Sequence, residues 1–217
     1  MLNFSDPTKD EKWIVKILIG GLLTLVPILN IITGFFATGY LVQNMYKGTQ
    51  NEEGLPEWSG NWGKHFLLGI KYTIMMFIYM LIPIIISIIG GVGAVTTMSL
   101  AENGIAAILS LGGIVFLSFI LALAIGFITP MAVTHSIVQG TFGSAFHFSA
   151  IFNKIKAVFG QYLITYLSQI VIGVLTVIIL GMIPLIGWIL IPFASFYLMA
   201  AYSKMYGNLY TDSKDQK

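Results

Sequence analysis

Residues 47–71 read KGTQNEEGLPEWSGNWGKHFLLGIK. This stretch holds six charged residues (Lys47, Glu52, Glu53, Glu57, Lys64 and Lys71) of the eleven basic and nine acidic in the chain. It also carries two of the four tryptophans, Trp58 and Trp62. On both sides the sequence runs through Ile, Leu, Val, Phe and Gly with almost no charge. A polar interval between long apolar ones is the pattern of a chain that crosses a membrane more than once. Composition says the same. Only 9% of the 217 residues are charged and 57% are hydrophobic, with a mean hydropathy of +0.88. A soluble domain carries about 25% charged residues, so this chain lacks the polar groups to cover a water-facing surface.

Composition also excludes several chemistries. There is no cysteine, hence no disulfide, thiolate metal site or thiol nucleophile. The net charge of +2 is too small to suggest nucleic acid as a partner. No two histidines share a metal-ligand spacing, so no metal or cofactor is expected.

Upstream of the central stretch, residues 1–12 are polar, and an apolar run follows from Trp13 to Val26. A charged start before an apolar run resembles a signal peptide, but only Ala37-Thr38-Gly39 offers a small-residue cleavage pattern. An uncleaved first span is expected. Pro27 then interrupts, because proline removes a donor and disfavours helix at the residue before it. A second helix from Ile31 to Tyr46 would return. One kinked helix over 13–46 would instead measure roughly 51 Å, against a hydrocarbon core of about 30 Å. Downstream, the spans expected are Phe66–Val95, Ile105–Val138, Val158–Met182 and, after a break at Pro184, Trp188–Tyr206.

The lysines choose the topology. With six spans, Lys9, Lys12, Lys16, Lys47, Lys64, Lys71, Lys154, Lys156, Lys204, Lys214 and Lys217 all fall on one side. The connectors at Pro27, Glu102 and Pro184 carry none. The positive-inside rule then makes that side cytoplasmic. A four-span map, with each broken segment a single crossing, would divide the lysines between faces. The expectation is therefore an all-α polytopic membrane helix bundle of six transmembrane helices in the cytoplasmic (inner) membrane. Short Pro-broken hairpins pair spans one and two and spans five and six, and both termini are cytoplasmic. Residues 1–12 form the N-terminal segment, 13–206 one transmembrane domain with a cytoplasmic loop at 47–65, and 207–217 a tail. Leu25-Val26-Pro27-Ile28-Leu29 echoes Met182-Ile183-Pro184-Leu185-Ile186, through duplication or through the common needs of a tight apolar hairpin.

Between the fourth and fifth spans, Phe148, Ile151, Phe152, Ile155 and Phe159 recur at helical spacing, with Lys154 and Lys156 among the polar positions. This predicts an interfacial amphipathic helix near 144–157. Inside the spans, ionisable groups are costly and functional by default, and almost none occur. Lys16 and Lys71 sit near cytoplasmic ends, where snorkelling accounts for them. His135 is the exception: a proton relay or ligand contact weighed against a hydrogen-bonded structural histidine. No acidic pair lies within a span for general acid–base work, so no enzymatic activity and no catalytic residue is expected. Gly90 with Ala94, and Gly112 with Gly113, have the small side chains that permit close helix packing.

Gly39-Tyr40, Leu55-Pro56-Glu57-Trp58, Gly69-Ile70-Lys71 and the run from Phe146-His147-Phe148 through Ile155-Lys156 to Gly160-Gln161-Tyr162 form an ordered set. With Gly20-Gly21 and Pro27, this set resembles the bacterial and archaeal membrane family known as domain of unknown function 4013. The resemblance spans about residues 13–206 and implies an integral membrane protein with no assigned reaction. An acidic residue is usual in that family where His147 stands. Two functions follow as expectations. The first is a non-catalytic module in contact with membrane lipid that binds a protein, peptide or lipid partner on the cytoplasmic face, through Glu57, Trp58, Trp62, Lys154 and Lys156. The second is a small transporter or channel subunit with a polar pathway through Asn30, Ser87, Ser118, Thr129, His135, Ser168, Gln169 and Thr176.

Overall fold

The computed structural model describes residues 2–25, 30–100 and 104–215. Among these it contains seven α-helices, two short 3-10 turns and no strand. The helices are α1 (Trp13–Leu25), α2 (Asn30–Thr49), α3 (Trp62–Leu100), α4 (Gly104–Gln139), α5 (Phe148–Ala157), α6 (Phe159–Gly181) and α7 (Ile186–Asp215). Four of them, α3, α4, α6 and α7, contain stretches long and apolar enough to cross a membrane. The surface fits that setting. Ile89, Val115, Leu167, Ile179 and Trp188 are all half exposed or more, which in water would be a liability and in lipid is ordinary.

The chain forms two units, residues 1–73 with 130–217 and residues 74–129. In the first unit α2 packs chiefly along α7, and α7 also packs on α6 and α1. Glycines make these contacts close. A Cβ on Gly48 would lie 2.5 Å from the Lys204 carbonyl oxygen, and one on Gly207 2.1 Å from that of Met45. Near its middle α2 meets α3 in the same way. A Cβ on Gly39 would lie 1.7 Å from the His65 oxygen, and one on Gly69 1.8 Å from the Phe35 oxygen. The α2 backbone thus touches two neighbours through paired glycines, the approach that membrane helices use where hydrophobicity gives no drive to associate. On α1, Gly20 and Gly21 leave space that Phe196 and Phe193 of α7 fill.

In the second unit, Ser87 Oγ and Ser118 Oγ are hydrogen-bonded at 2.7 Å, and the Ile114 side chain packs over Gly90. At Gly112 and Gly113 no described atom outside their own helix comes within 4 Å of a Cβ. Ala94, its side chain not described, and Pro27, the expected helix break, lie outside the description. Pro184 lies in the turn between α6 and α7, where Leu185 takes a left-handed φ of 62°.

Two boundaries differ from expectation. The interfacial helix begins at Phe148, because His147 (ψ 67°) separates it from a 3-10 turn at Gly143–Phe146. Residues 207–215, expected as a tail, continue α7 as helix, with Leu209, Tyr210 and Ser213 buried.

Candidate functional site

The central stretch is only partly the wet interval its composition suggests: Glu52, Glu53, Glu57 and Lys64 are exposed, but part of it folds inward. Leu55 and Trp58 are 2% and 3% exposed. The turn that folds them inward uses Asn51, Gly54 and Gly60, all at positive φ. Trp58 stacks on Tyr40 with ring centroids 4.1 Å apart and planes 12° from parallel. Its indole Nε1 donates to the Lys16 carbonyl at 3.0 Å. Trp58 therefore cannot present itself to a partner, which corrects the expectation made for it. A buried indole needs an acceptor, and here the acceptor is backbone of α1.

Lys16 is a second correction. It does not reach out to water; its side chain is 5% exposed. Its Nζ donates to Asp10 Oδ2 at 2.7 Å, to Glu57 Oε1 at 2.7 Å and to the Leu55 carbonyl at 3.3 Å. Asp10 also accepts from the backbone N–H groups of Leu55 (3.1 Å) and Lys12 (2.9 Å). Burial alone would raise the Asp10 carboxyl. The hydrogen bonds from Lys16, Lys12 and Leu55 outweigh that and hold it below its ordinary value. Glu57 is likewise an internal ion-pair partner, and its carbonyl accepts from His65 Nε2 at 3.0 Å. A carbonyl only accepts, so Nε2 carries the proton. Together these contacts fasten the N-terminal segment, α1, α2, α3 and the loop to one another.

The other expected site residues scatter. Trp62 is 41% exposed and Lys156 is exposed, but Lys154 Nζ lies over the Tyr210 ring, 4.3 Å from its centroid. His135 Nδ1 is 2.9 Å from the Tyr210 hydroxyl. On the expected polar pathway, Thr129, Ser168 and Thr176 donate to carbonyls of their own helix. Such back-bonding satisfies a hydroxyl locally and leaves no file of free groups. The Asn30 side chain lies outside the description.

Gln169 is placed differently. It lines a partly open cavity of about 290 Å³ between α2, α3, α4, α6 and α7. Leu41, Val42, Met45 and Met199 form an apolar wall. On the same stripe of α7 as Met199, Tyr206 donates its hydroxyl proton to Gln169 Oε1 at 2.7 Å, and Tyr202 donates to Ser168 Oγ at 3.2 Å. Asn44 donates to the Ala200 carbonyl (2.7 Å) and to Ser203 Oγ (2.9 Å), which fixes the α2–α7 side of the wall. The tyrosines that complete this site lie some thirty-five residues from Gln169, and no periodicity in the sequence pairs them.

A family model described as a protein of unknown function (DUF4013) matches residues 22–185. That is three quarters of the chain. The chain belongs to the DUF4013 family. No curated protein and no solved structure matches it. The matched residues of this DUF4013 protein hold α2 to α6, including Gln169, Trp58 and the glycines at 39 and 69. Lys16, Asp10 and the tyrosines of α7 lie outside them.

Proposed function

We propose that this DUF4013 protein is a non-catalytic module of the cytoplasmic membrane that holds a lipid-like amphiphile in the cavity beside Gln169. The observation that carries this is the mixed lining: apolar Leu41, Val42, Met45 and Met199 together with the polar Gln169–Tyr206 pair. Ligand cavities are mostly apolar with a few placed polar groups, and about 300 Å³ is their lower end. The volume therefore suits one tail segment with its first polar group rather than a whole phospholipid. Of the partners expected from the sequence, lipid is favoured, because Trp58 is buried and Glu57 is already paired with Lys16.

The same proposal has six spans, with both termini and the central loop on the cytoplasmic side. Its support is the one-sided distribution of lysine. α1, at 13 residues, is short for a crossing of about 30 Å. A hairpin of α1 and α2 that enters and leaves on one face keeps the same sidedness even where it does not cross fully. A transporter routed through His135 and Gln169 is the weaker reading, since these side chains bond to different tyrosines, Tyr210 and Tyr206.

Purification in mild detergent, followed by solvent extraction and mass spectrometry, tests the binding. Wild-type protein should carry a bound amphiphile, and Met199→Trp, which fills the cavity, should lose it. An identical lipid profile from both would refute the site. Labelling of Asn30→Cys from the cytoplasmic side alone would refute six spans; the natural chain has no cysteine to interfere.

A further inference from the structure

A second pocket in the first unit, partly open where Asp212 is exposed, differs in kind from the Gln169 cavity. It measures about 220 Å³ and lies among the N-terminal segment, the loop after α2, α6 and the last turns of α7. Only Met205 and Leu209 of its lining are apolar. In a chain with 9% charged residues, three charges meet here: Asp6, Asp212 and Lys204. Lys204 is 4% exposed. Its Nζ lies 3.4 Å from Asp6 Oδ2 and donates to the Glu52 carbonyl, so its charge is already engaged within the protein.

Acceptors are in surplus. Asn208 Oδ1 is buried without a hydrogen-bond partner, and Asp212 has no ion pair among the described residues. Two carboxylates against one ammonium leave the cavity with a formal charge of about −1 at neutral pH. A buried acceptor with no donor is costly to leave unmet.

We propose that this cavity binds a primary ammonium group. The charge calls for a cation, and the unmet Asn208 oxygen calls for one that carries N–H donors. A quaternary amine fits less well, because no aromatic ring lines the space to hold it by cation–π attraction. A metal ion fits less well too: among the described residues no group of three or more His, Cys, Asp or Glu side chains could hold one. An anion would face Asp6 and Asp212 with Lys204 already engaged. The space is many times the roughly 15 Å³ that one water needs, so an aminoalkyl group fits where a bare ion would rattle. The donor is either a free amine or the aminoethyl headgroup of a lipid, and it would tie Asp6 of the N-terminal segment to Asp212 of α7.

The test uses the full chain in nanodiscs of phosphatidylglycerol alone, with thermal unfolding followed as ethanolamine is added. Tetramethylammonium and sodium chloride at equal ionic strength serve as controls. A second arm replaces part of the lipid with phosphatidylethanolamine. A saturable rise in Tm with ethanolamine, absent with tetramethylammonium, is expected. Asp212→Asn, at an exposed position, should weaken the half-saturation at least about tenfold, and Asn208→Leu should weaken it as well. A rise confined to the phosphatidylethanolamine discs and lost in Asp212→Asn assigns the site to the lipid headgroup and supports the proposal. No rise in either arm, an equal rise with tetramethylammonium, or a response unchanged in Asp212→Asn overturns it. Met199→Trp leaves this response intact, so loss of the amphiphile reading and loss of this one are separable.

Discussion

Replacing Gly39 by Ala adds a single methyl group at the place where α2 and α3 touch through their backbones. That methyl carbon would stand 1.7 Å from the His65 carbonyl oxygen. A carbon over a carbonyl oxygen needs about 3.3 Å, so the two helices must part by roughly 1.6 Å. Neither side can yield by changing a rotamer, because the obstacle is backbone. Overpacking of a well-filled interior costs about 1–3 kcal/mol, and a backbone obstacle belongs at the top of that range. Alanine returns up to about 1 kcal/mol of helix propensity, leaving a net loss of about 2 kcal/mol. For a chain of this size that lowers Tm by about 4–8 °C. The matched control is Gly173→Ala in α6, where no described atom beyond the helix's own backbone lies within 4 Å of a Cβ and the substitution should be neutral or mildly stabilising. Fluorescence-detected size exclusion after heating in detergent reads both. The double variant Gly39→Ala, Gly69→Ala should cost less than the sum of the singles, since one separation of the helices relieves both clashes. A Gly39→Ala protein that melts with wild type would refute the close approach.

Acid should loosen the N-terminal clamp in a defined window. The folded Asp10 carboxyl lies below its ordinary value of 3.8, so its contribution is fully present above that pH and is lost as pH falls through the folded value. In Lys16→Met the loss should begin at higher pH, read from the acid limb of thermal melts; an unchanged limb would count against the clamp. Trp58→Ala should cost about 3–5 kcal/mol, whereas Trp62→Ala, at a half-exposed position, should cost under about 1 kcal/mol. Urea unfolding of the two in detergent checks the contrast, and equal losses would contradict the burial of Trp58. His135→Phe and Tyr210→Phe should each cost about 1 kcal/mol and the pair little more than either alone; strict additivity in that cycle would deny their hydrogen bond.

Most of the helix map was legible from residue order, for physical reasons that act locally. Pro184 ends α6 because its ring and missing N–H act on its own neighbours. The run Phe148, Ile151, Phe152, Ile155 announces α5 because helical periodicity repeats every few residues. The extension of α7 through Tyr210 was not legible, because its turns look polar until His135 and the N-terminal segment cover them. The small-residue reading shows the same divide. Gly90 packs under Ile114 while Gly112 and Gly113 meet no described atom of another helix, and the spacing of glycines says only where an approach is permitted.

By itself the sequence determined that this DUF4013 protein has helices apolar enough for a membrane, since so few charges cannot clothe a surface in water. Only the tertiary structure decided what the charged central stretch does. Lys16 meets Glu57 forty-one residues away and Asp10 six residues away in one cluster, and Trp58 turns inward onto Tyr40. Composition marked residues 47–71 as polar because it counts side chains one at a time. Burial is settled pairwise, by which charges find opposite charges and which rings find faces, and those partners come from helices that the chain brings together only when folded.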